Sequence, residues 1–136
     1  MSQNLSPSDA RSKRILVIDD SITLLQQLEA FLTTHGFAVE KASDAHAGLD
    51  ALRAGKFDLV FVDVNMPGMN GLEMIAEARK LPGYDKTPIF VLTTESTKGL
   101  MQRGKEAGAT AWIVKPFKQD VVLKGIEHVL GPTTKE

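Results

Sequence analysis

Residues 59–71 read Leu-Val-Phe-Val-Asp-Val-Asn-Met-Pro-Gly-Met-Asn-Gly. The apolar run that leads to Asp63 is typical of a buried strand, and the Pro-, Gly- and Asn-rich stretch after it is typical of a turn. An equally apolar run, residues 15–18, leads to Asp19 and Asp20. A carboxylate at the end of a buried strand is costly to desolvate unless a cation lies beside it. Because ligands of open α/β sheets bind at the carboxyl ends of strands, the two runs predict a site for a divalent cation and a phosphoryl group.

Composition restricts the class of protein. The chain has 136 residues, of which 43% are hydrophobic and 24% charged, as expected of one soluble globular domain. Its net charge of -1, from 16 basic and 17 acidic residues, argues against a nucleic-acid partner. The absence of cysteine excludes disulfides and thiolate chemistry. We find neither an apolar stretch of membrane-spanning length nor a signal peptide, and therefore expect a cytoplasmic protein without a membrane partner.

Strand-like and helix-like patterns alternate along the chain, which is typical of βαβ units in a parallel sheet. One domain is predicted over residues 14–130, between a disordered leader at 1–13 and a frayed tail at 131–136. Four of the strand-like runs are almost continuously apolar, as in strands covered on both faces, whereas residues 37–42 are more polar and are predicted to form an edge strand. The predicted strands span residues 14–19, 37–42, 58–63, 88–93 and 111–115.

A helix is predicted after every strand, because apolar residues recur there at helical spacing and a glycine stands near most of the predicted ends. Residues 70–73, Asn-Gly-Leu-Glu, resemble a capping box that opens the third helix. The fourth helix is predicted over residues 97–107, with Gly108 as its stop. Five βα units with right-handed crossovers predict a three-layer α/β sandwich.

Four separated motifs occur in order, each at the predicted carboxyl end of a strand. They are Asp19-Asp20, the segment from Asp63 to Gly71, Thr93, and Lys115-Pro116-Phe117. Each motif alone is weak, but together they resemble the receiver domain of bacterial response regulators, and within that family the stand-alone chemotaxis regulators of the CheY type. The resemblance covers residues 14–130. It implies a flavodoxin-like fold with the strand order 2-1-3-4-5.

The resemblance assigns a role to each of these residues. Asp63 is implied to accept a phosphoryl group from the phosphohistidine of a histidine kinase. A carboxylate repels the phosphoryl group that it attacks, so a metal ion must bridge the two. Mg²⁺ is the implied ion, and its implied ligands are Asp19, Asp20, Asp63 and the main-chain carbonyl of Asn65. Lys115 is implied to bind the phosphoryl oxygens, so that the ion and this lysine together balance the three carboxylates.

The resemblance also implies a conformational switch. Thr93 would donate its hydroxyl to the phosphoryl group, which draws the following loop inward, and the aromatic Trp112 would rotate behind it. Receivers commonly carry Tyr or Phe at this place, so Trp112 departs from the family in size. The fourth helix, the fifth strand and the fifth helix would form the readout face. Asn65 and Glu95 occupy positions that tune the lifetime of the acyl phosphate in this family.

Each site residue also has an ordinary structural interpretation. Asp19 and Asp20 belong to a residue type favoured at helix N-caps. Thr93 could be a simple strand residue, and Lys115 could be a surface lysine. Pro116 favours the site, because its turn would aim the lysine side chain, and the Lys115–Pro116 bond is a candidate cis bond.

Other features are predicted to have structural roles. Gly68 and Gly71 are assigned to turn geometry. The three histidines are scattered, are expected at the surface and lack metal-ligand spacing. Residues 99–105 fit the first part of a P-loop, but Glu106 stands where Ser or Thr must bind Mg²⁺, and the stretch is typical of a mid-helix segment.

The predicted function is that of a phosphorylation-activated, single-domain response regulator in a two-component chemotaxis pathway, a signalling protein and not an enzyme. Only residues 131–136 follow the fifth predicted helix, so we expect output through protein–protein contact. The implied partners of this monomer are a chemotaxis histidine kinase, a flagellar-motor switch protein and a phosphatase.

Three alternatives remain at the level of sequence. A phosphate sink or a phosphorelay shuttle fits nearly as well as a motor regulator. A hydrolase with an aspartyl-phosphate intermediate is disfavoured, because Asn65 stands where that chemistry needs a second acid. A pseudo-receiver that acts without phosphorylation is disfavoured because the set of acids, threonine and lysine is intact.

Overall fold

Five strands alternate with five helices in the computed structural model, which describes residues 13–131. The strands are β1 (Arg14–Ile18), β2 (Ala38–Ala42), β3 (Leu59–Val62), β4 (Ile89–Thr93) and β5 (Ala111–Val114). The helices are α1 (Ile22–Thr34), α2 (Ala45–Ala54), α3 (Gly71–Lys80), α4 (Lys98–Ala107) and α5 (Gln119–Leu130). The predicted leader, apart from its last residue, and the predicted tail after residue 131 lie outside the described residues.

The strands form one parallel sheet in the order β2-β1-β3-β4-β5. This confirms the predicted fold class, the order 2-1-3-4-5 and the edge position of the second strand. Three strands end one residue earlier than predicted, immediately before Asp19, Asp63 and Lys115. The amides of these residues still bond to the neighbouring strand, at 3.1, 3.0 and 2.8 Å, and the chain leaves the sheet after them.

Side chains alternate between the two faces of the sheet, and helices cover both faces. Ile15, Val17 and Phe61 belong to a cluster with α1 and α5, whereas Leu16 and Ile18 belong to a cluster with α2 and α3. Every residue of β3 and β4 is buried. Each fully buried aliphatic side chain stabilises the fold by about 1.5–3 kcal/mol, so the continuous apolar runs require the three-layer arrangement.

Two of the helices begin or end at capping residues that the sequence predicts, and a third begins at a cap that it does not. The predicted capping box is present: Asn70 N donates to Glu73 Oε1 and Glu73 N donates to Asn70 Oδ1, both at 2.9 Å. Thr97 is the N-cap of α4, which therefore begins one residue later than predicted, and Gly108 ends it with a φ of 116°. Ser21 caps α1, with Leu24 N donating to its hydroxyl at 3.2 Å. The cap of α1 is thus neither of the two aspartates that precede it.

The P-loop-like stretch at residues 99–105 lies inside α4, as predicted, and forms no phosphate-binding loop. Across residues 13–131, none of the helices combines the length and the apolar character that crossing a bilayer requires.

Candidate functional site

Three carboxylates meet at the carboxyl ends of β1 and β3. The two strands are parallel neighbours with Ile18 opposite Val62, so the residues after them, Asp19 and Asp63, are also in register. One oxygen from each of Asp19, Asp20 and Asp63 lies within 4.8 Å of the other two. Asp19 and Asp63 are buried, with 2% and 7% of their surfaces exposed, whereas Asp20 is exposed. The convergence predicted from the two apolar runs is therefore present.

Lys115 lies between two of these acids. Its Nζ donates to Asp19 Oδ2 at 2.7 Å and to Asp63 Oδ2 at 3.1 Å. Only 17% of its side chain is exposed, which rules out the interpretation as a surface lysine. Burial by itself lowers the pKa of Lys115, but the hydrogen bonds and charges of the two aspartates outweigh it, and the pKa is raised. The Lys115–Pro116 bond that follows is cis.

Backbone amides hold the two buried acids in place. Ser21 N donates to Asp19 Oδ1 at 2.9 Å, and Asn65 N donates to Asp63 Oδ1 at 3.2 Å. Burial raises the pKa of Asp19, and the charge of Asp63 adds to this effect, while Lys115 and the amide of Ser21 oppose it. One lysine does not neutralise the three clustered carboxylates, and each of these residues offers a carboxylate oxygen, a ligand that hard divalent cations prefer. The residues present thus fit the implied Mg²⁺.

Thr93 is the last residue of β4, and its surface is 0% exposed. Its Oγ1 accepts a long hydrogen bond of 3.4 Å from Glu95 N. The Glu95 side chain in turn accepts from Asn65 Nδ2 at 3.3 Å. This contact joins the loop after β3 to the loop after β4 at the edge of the sheet where the acids lie.

Trp112 lies in β5, opposite Val91 of β4. Its side chain is half-buried and packs against the apolar cluster that α2 and α3 share with the sheet. Its Nε1 donates to the main-chain carbonyl of Glu95 at 2.7 Å. The indole is therefore bound to the loop that follows Thr93, a contact that connects the two residues implied to act as a switch.

Gly71 has a role that the sequence analysis missed. Gly68 has a φ of 77° with open space around it, in agreement with a turn function. Gly71 is instead the first residue of α3, and a Cβ there would collide with the main chain of Asp63 and Val64. The assignment of Gly71 to turn geometry is therefore wrong: the missing side chain lets α3 approach the backbone that carries Asp63. A glycine directly after a capping asparagine, inside the helix, was the available signal.

The histidines do not join this site. Among residues 13–131, the only group of acids, histidines or cysteines able to hold a metal ion is the aspartate cluster. His46 and His128 are exposed, as predicted. His35 departs from the prediction, because it is half-buried with its ring edge-on to Phe31 at a centroid distance of 5.0 Å.

Residues 15–127 match the family model described as the response regulator receiver domain. Protein PilH of Pseudomonas aeruginosa is 35% identical over 118 residues, which cover 87% of this chain and 98% of PilH. Chemotaxis protein CheY of the same organism is 30% identical, with 85% of this chain and 94% of CheY covered. The structure of chemotaxis protein CheY4 of Vibrio cholerae superposes with a TM-score of 0.84 at 39% identity and covers 87% of this chain and 98% of CheY4. The chain spans about half the length of some other curated relatives.

Receiver domains accept phosphoryl groups from histidine kinases and bind Mg²⁺ at an acidic site; they are signalling domains and not classical enzymes. The match to their family runs from the second residue of β1 into the last turn of α5, and so takes in the sheet apart from Arg14. Because this match is joined by a relative that is 35% identical and covered almost from end to end, the chain belongs to the response regulator receiver domain family.

Proposed function

We propose that this chain is a phosphorylation-activated response regulator in which Asp63 is the phosphoacceptor. One observation carries the proposal: Lys115 Nζ binds Asp63 Oδ2 at 3.1 Å inside a cluster of three carboxylates. A lone buried carboxylate could be structural, but a carboxylate that shares one lysine with a second buried acid is prepared for a further cation and an anionic substrate.

The chain's own residues account for the transfer step. An oxygen of Asp63 attacks the phosphorus of a phosphohistidine, and the P–N bond breaks with its electron pair returning to the imidazole. Mg²⁺, when bound, screens the repulsion between the carboxylate and the phosphoryl oxygens. The backbone amides of Ser21 and Asn65 hold the carboxylates of Asp19 and Asp63 in position. Lys115 supplies a positive charge beside the phosphoryl group that Asp63 attacks.

The contacts of Thr93 suit a switch. The hydrogen bond that its hydroxyl accepts from Glu95 N is long, at 3.4 Å, and therefore weak, so little is lost when the hydroxyl rotates toward a phosphoryl oxygen. We infer that this rotation of the Thr93 hydroxyl changes which conformation of the loop after β4 is most populated. The loop is bound to Trp112 in β5, so the change reaches the surface formed by α4, β5 and α5.

A groove beside the site offers space for the phosphodonor. It has a volume of about 990 Å³ and runs from Thr94 and Lys115 along α1. Leu24, Phe31 and Phe117 contribute apolar surface to it. We infer that the domain carrying the phosphohistidine docks here, because this groove leads directly to the lysine that binds Asp63.

The proposal is tested by labelling with acetyl phosphate in the presence of Mg²⁺. Asp63→Asn should abolish the added phosphoryl mass, because the amide is not a nucleophile for this transfer. Asp50→Asn is the matched control, since Asp50 is exposed, lies outside the acidic cluster and pairs with Arg53 on α2. Peptide mapping by mass spectrometry should place the label on Asp63. Full labelling of Asp63→Asn would contradict the assignment.

We further propose a cytoplasmic, monomeric regulator of a chemotaxis pathway that contacts a flagellar-motor switch protein. The likeness to CheY supports this context, and the likeness to PilH keeps the phosphate sink and the phosphorelay shuttle as the second candidate. Met101, Val114 and Val121 are large apolar residues exposed on α4, β5 and α5, which is suitable for a protein contact. Retention of this chain by motor switch protein should increase with beryllofluoride. Equal failure to bind with and without beryllofluoride would favour the sink or shuttle.

A further inference from the structure

Gly104 in α4 faces the indole of Trp112. It is the one buried residue of this helix. A Cβ on Gly104 would lie 2.5 Å from Trp112 Cζ3, 3.2 Å from Trp112 Cε3 and 3.4 Å from Leu72 Cδ2. The missing side chain therefore leaves a slot between α3 and α4, and the six-membered ring of the indole fills it.

The same indole is bound to the loop that reaches the acidic site. Trp112 Nε1 donates to the Glu95 carbonyl at 2.7 Å. Glu95 N donates to Thr93 Oγ1 at 3.4 Å, and the Glu95 carboxylate accepts from Asn65 Nδ2 at 3.3 Å. Glu95 thus connects the indole to Thr93 and to the loop after Asp63.

Gly104 differs from Gly99, the other glycine of α4, in what surrounds it. Glycine inside a helix is unfavourable relative to alanine, because it loses more backbone freedom and buries nothing. A Cβ on Gly99 would meet nothing within 4 Å. At Gly104 the same unfavourable choice makes room for a ring larger than the Tyr or Phe common at this place. The two glycines therefore form a matched pair, one with a neighbour to accommodate and one without.

We propose that Gly104 is a positioning residue for phosphoryl binding. Its slot holds Trp112 with the indole N–H on Glu95, and so keeps the loop after β4 in the arrangement in which Thr93 and Glu95 border the acidic site. This inference rests on the proposed function. A side chain at position 104 expels the indole, breaks the bond to Glu95 and reduces the population of the binding arrangement.

The slot itself is tested by the emission of Trp112, the only tryptophan of the chain. Gly104→Ala should shift the emission maximum and increase acrylamide quenching in the absence of ligand, because the ring leaves its packed position. Gly99→Ala should match the wild type in both measurements. Identical emission and quenching in the two alanine variants would overturn the slot.

The positioning role is tested by calorimetric titration with beryllofluoride in saturating Mg²⁺. Gly104→Ala should bind about 2- to 10-fold more weakly, the effect of one ordinary hydrogen bond, and Gly99→Ala should bind as the wild type does. Equal or tighter binding by Gly104→Ala would overturn the role. If the wild type itself bound no beryllofluoride, the proposed function would fail, a result distinct from equal affinities in the three proteins.

Trp112→Phe provides a variant without a steric clash. It leaves the slot open but lacks the indole N–H, so its affinity should fall to about the same extent as that of Gly104→Ala, by roughly 2- to 10-fold. In this background Gly104→Ala should have almost no further effect, because the shorter ring no longer occupies the slot. Additive losses in the double variant would show that Gly104 acts independently of Trp112 and would overturn the proposal.

Discussion

At the scale of single residues, two side chains, Lys115 and Tyr84, make polar contacts that hold separate parts of the chain together. Lys115 bonds to both buried aspartates, and its pKa is raised because their hydrogen bonds and charges outweigh the effect of burial. Tyr84, at the opposite end of the sheet, is buried and donates its hydroxyl to the Gly55 carbonyl at 2.8 Å. We therefore expect substitution of either residue to lower the free energy of unfolding, although only Lys115 belongs to the site.

Lys115→Met should destabilise the protein at neutral pH by about 1–3 kcal/mol, because two partly buried carboxylates lose their shared cation. Urea unfolding measures the change, and added Mg²⁺ should recover part of it. Lys80→Met is the control, since Lys80 forms an exposed pair with Glu77 and such pairs contribute little. Equal stability of Lys115→Met and Lys80→Met would contradict the shared-cation account.

Tyr84→Phe should lose about 1 kcal/mol of stability at pH 8, and this deficit should shrink as the pH rises above 10. Burial raises the pKa of Tyr84 above its ordinary value of 10.0, so the folded protein keeps a proton that the unfolded chain releases. The stability contribution of Tyr84 is therefore complete below pH 10 and is lost as the pH rises through the raised pKa. Lys115 titrates in both proteins, so their difference reports on Tyr84. A deficit that stays constant from pH 8 to pH 11, measured by urea unfolding, would refute this sign.

At the scale of the elements, the helix starts place the loops of the site. The capping box of Asn70 and Glu73 determines where α3 begins. Gly71 then lets this first turn lie against the main chain of Asp63. The main chain of Asp63, the proposed phosphoacceptor, thus lies against the first turn of α3, and this close approach requires that residue 71 has no Cβ.

Gly71→Ala should destabilise the fold by about 1–3 kcal/mol, the usual effect of overpacking, because the added Cβ meets backbone and not a flexible side chain. It should also slow labelling of Asp63 by acetyl phosphate. Gly99→Ala adds the same methyl group in a helix with open space, and should be neutral or stabilising by up to about 1 kcal/mol. Chemical denaturation of both variants, with labelling rates, checks the pair; the same stability change in both would rule out a special role of Gly71.

At the scale of the whole molecule, the sheet concentrates negative charge at the carboxyl ends of its strands. Because the strands are parallel, the carboxyl ends of β1, β3, β4 and β5 lie on the same side of the sheet. The three aspartates, Thr93 and Lys115 lie at these strand ends. A nearly neutral chain therefore carries a local excess of negative charge, which we expect to lower its stability in the absence of a bound cation.

Mg²⁺ should raise the unfolding temperature, because it binds the folded site better than the unfolded chain; the gain is about 2.7 kcal/mol at 100 times Kd. Asp20→Asn should abolish most of this gain while leaving the metal-free stability slightly raised, since one of three clustered like charges is removed and Asp20 itself is exposed. Thermal unfolding in MgCl2 against NaCl of equal ionic strength measures the effect, with Asp50→Asn as control. A full Mg²⁺ gain in Asp20→Asn would remove Asp20 from the set of ligands.

Local patterns were enough to predict the strands, the sheet order through the family resemblance, and the meeting of Asp19 with Asp63. Apolar runs, capping residues and turn chemistry act over a few neighbouring residues, so they can be recognised in a single stretch of chain. Three features were visible only in the structure: the cap at Ser21, the approach of Gly71 to Asp63, and the slot that Gly104 leaves for Trp112. The cap depends on the local backbone path, and the other two depend on contacts between separate elements at ångström precision. The spacing of residues along the chain does not reveal a contact between the backbone of one element and a ring or carbonyl of another. Such contacts position the residues of the site, and only the tertiary structure shows them.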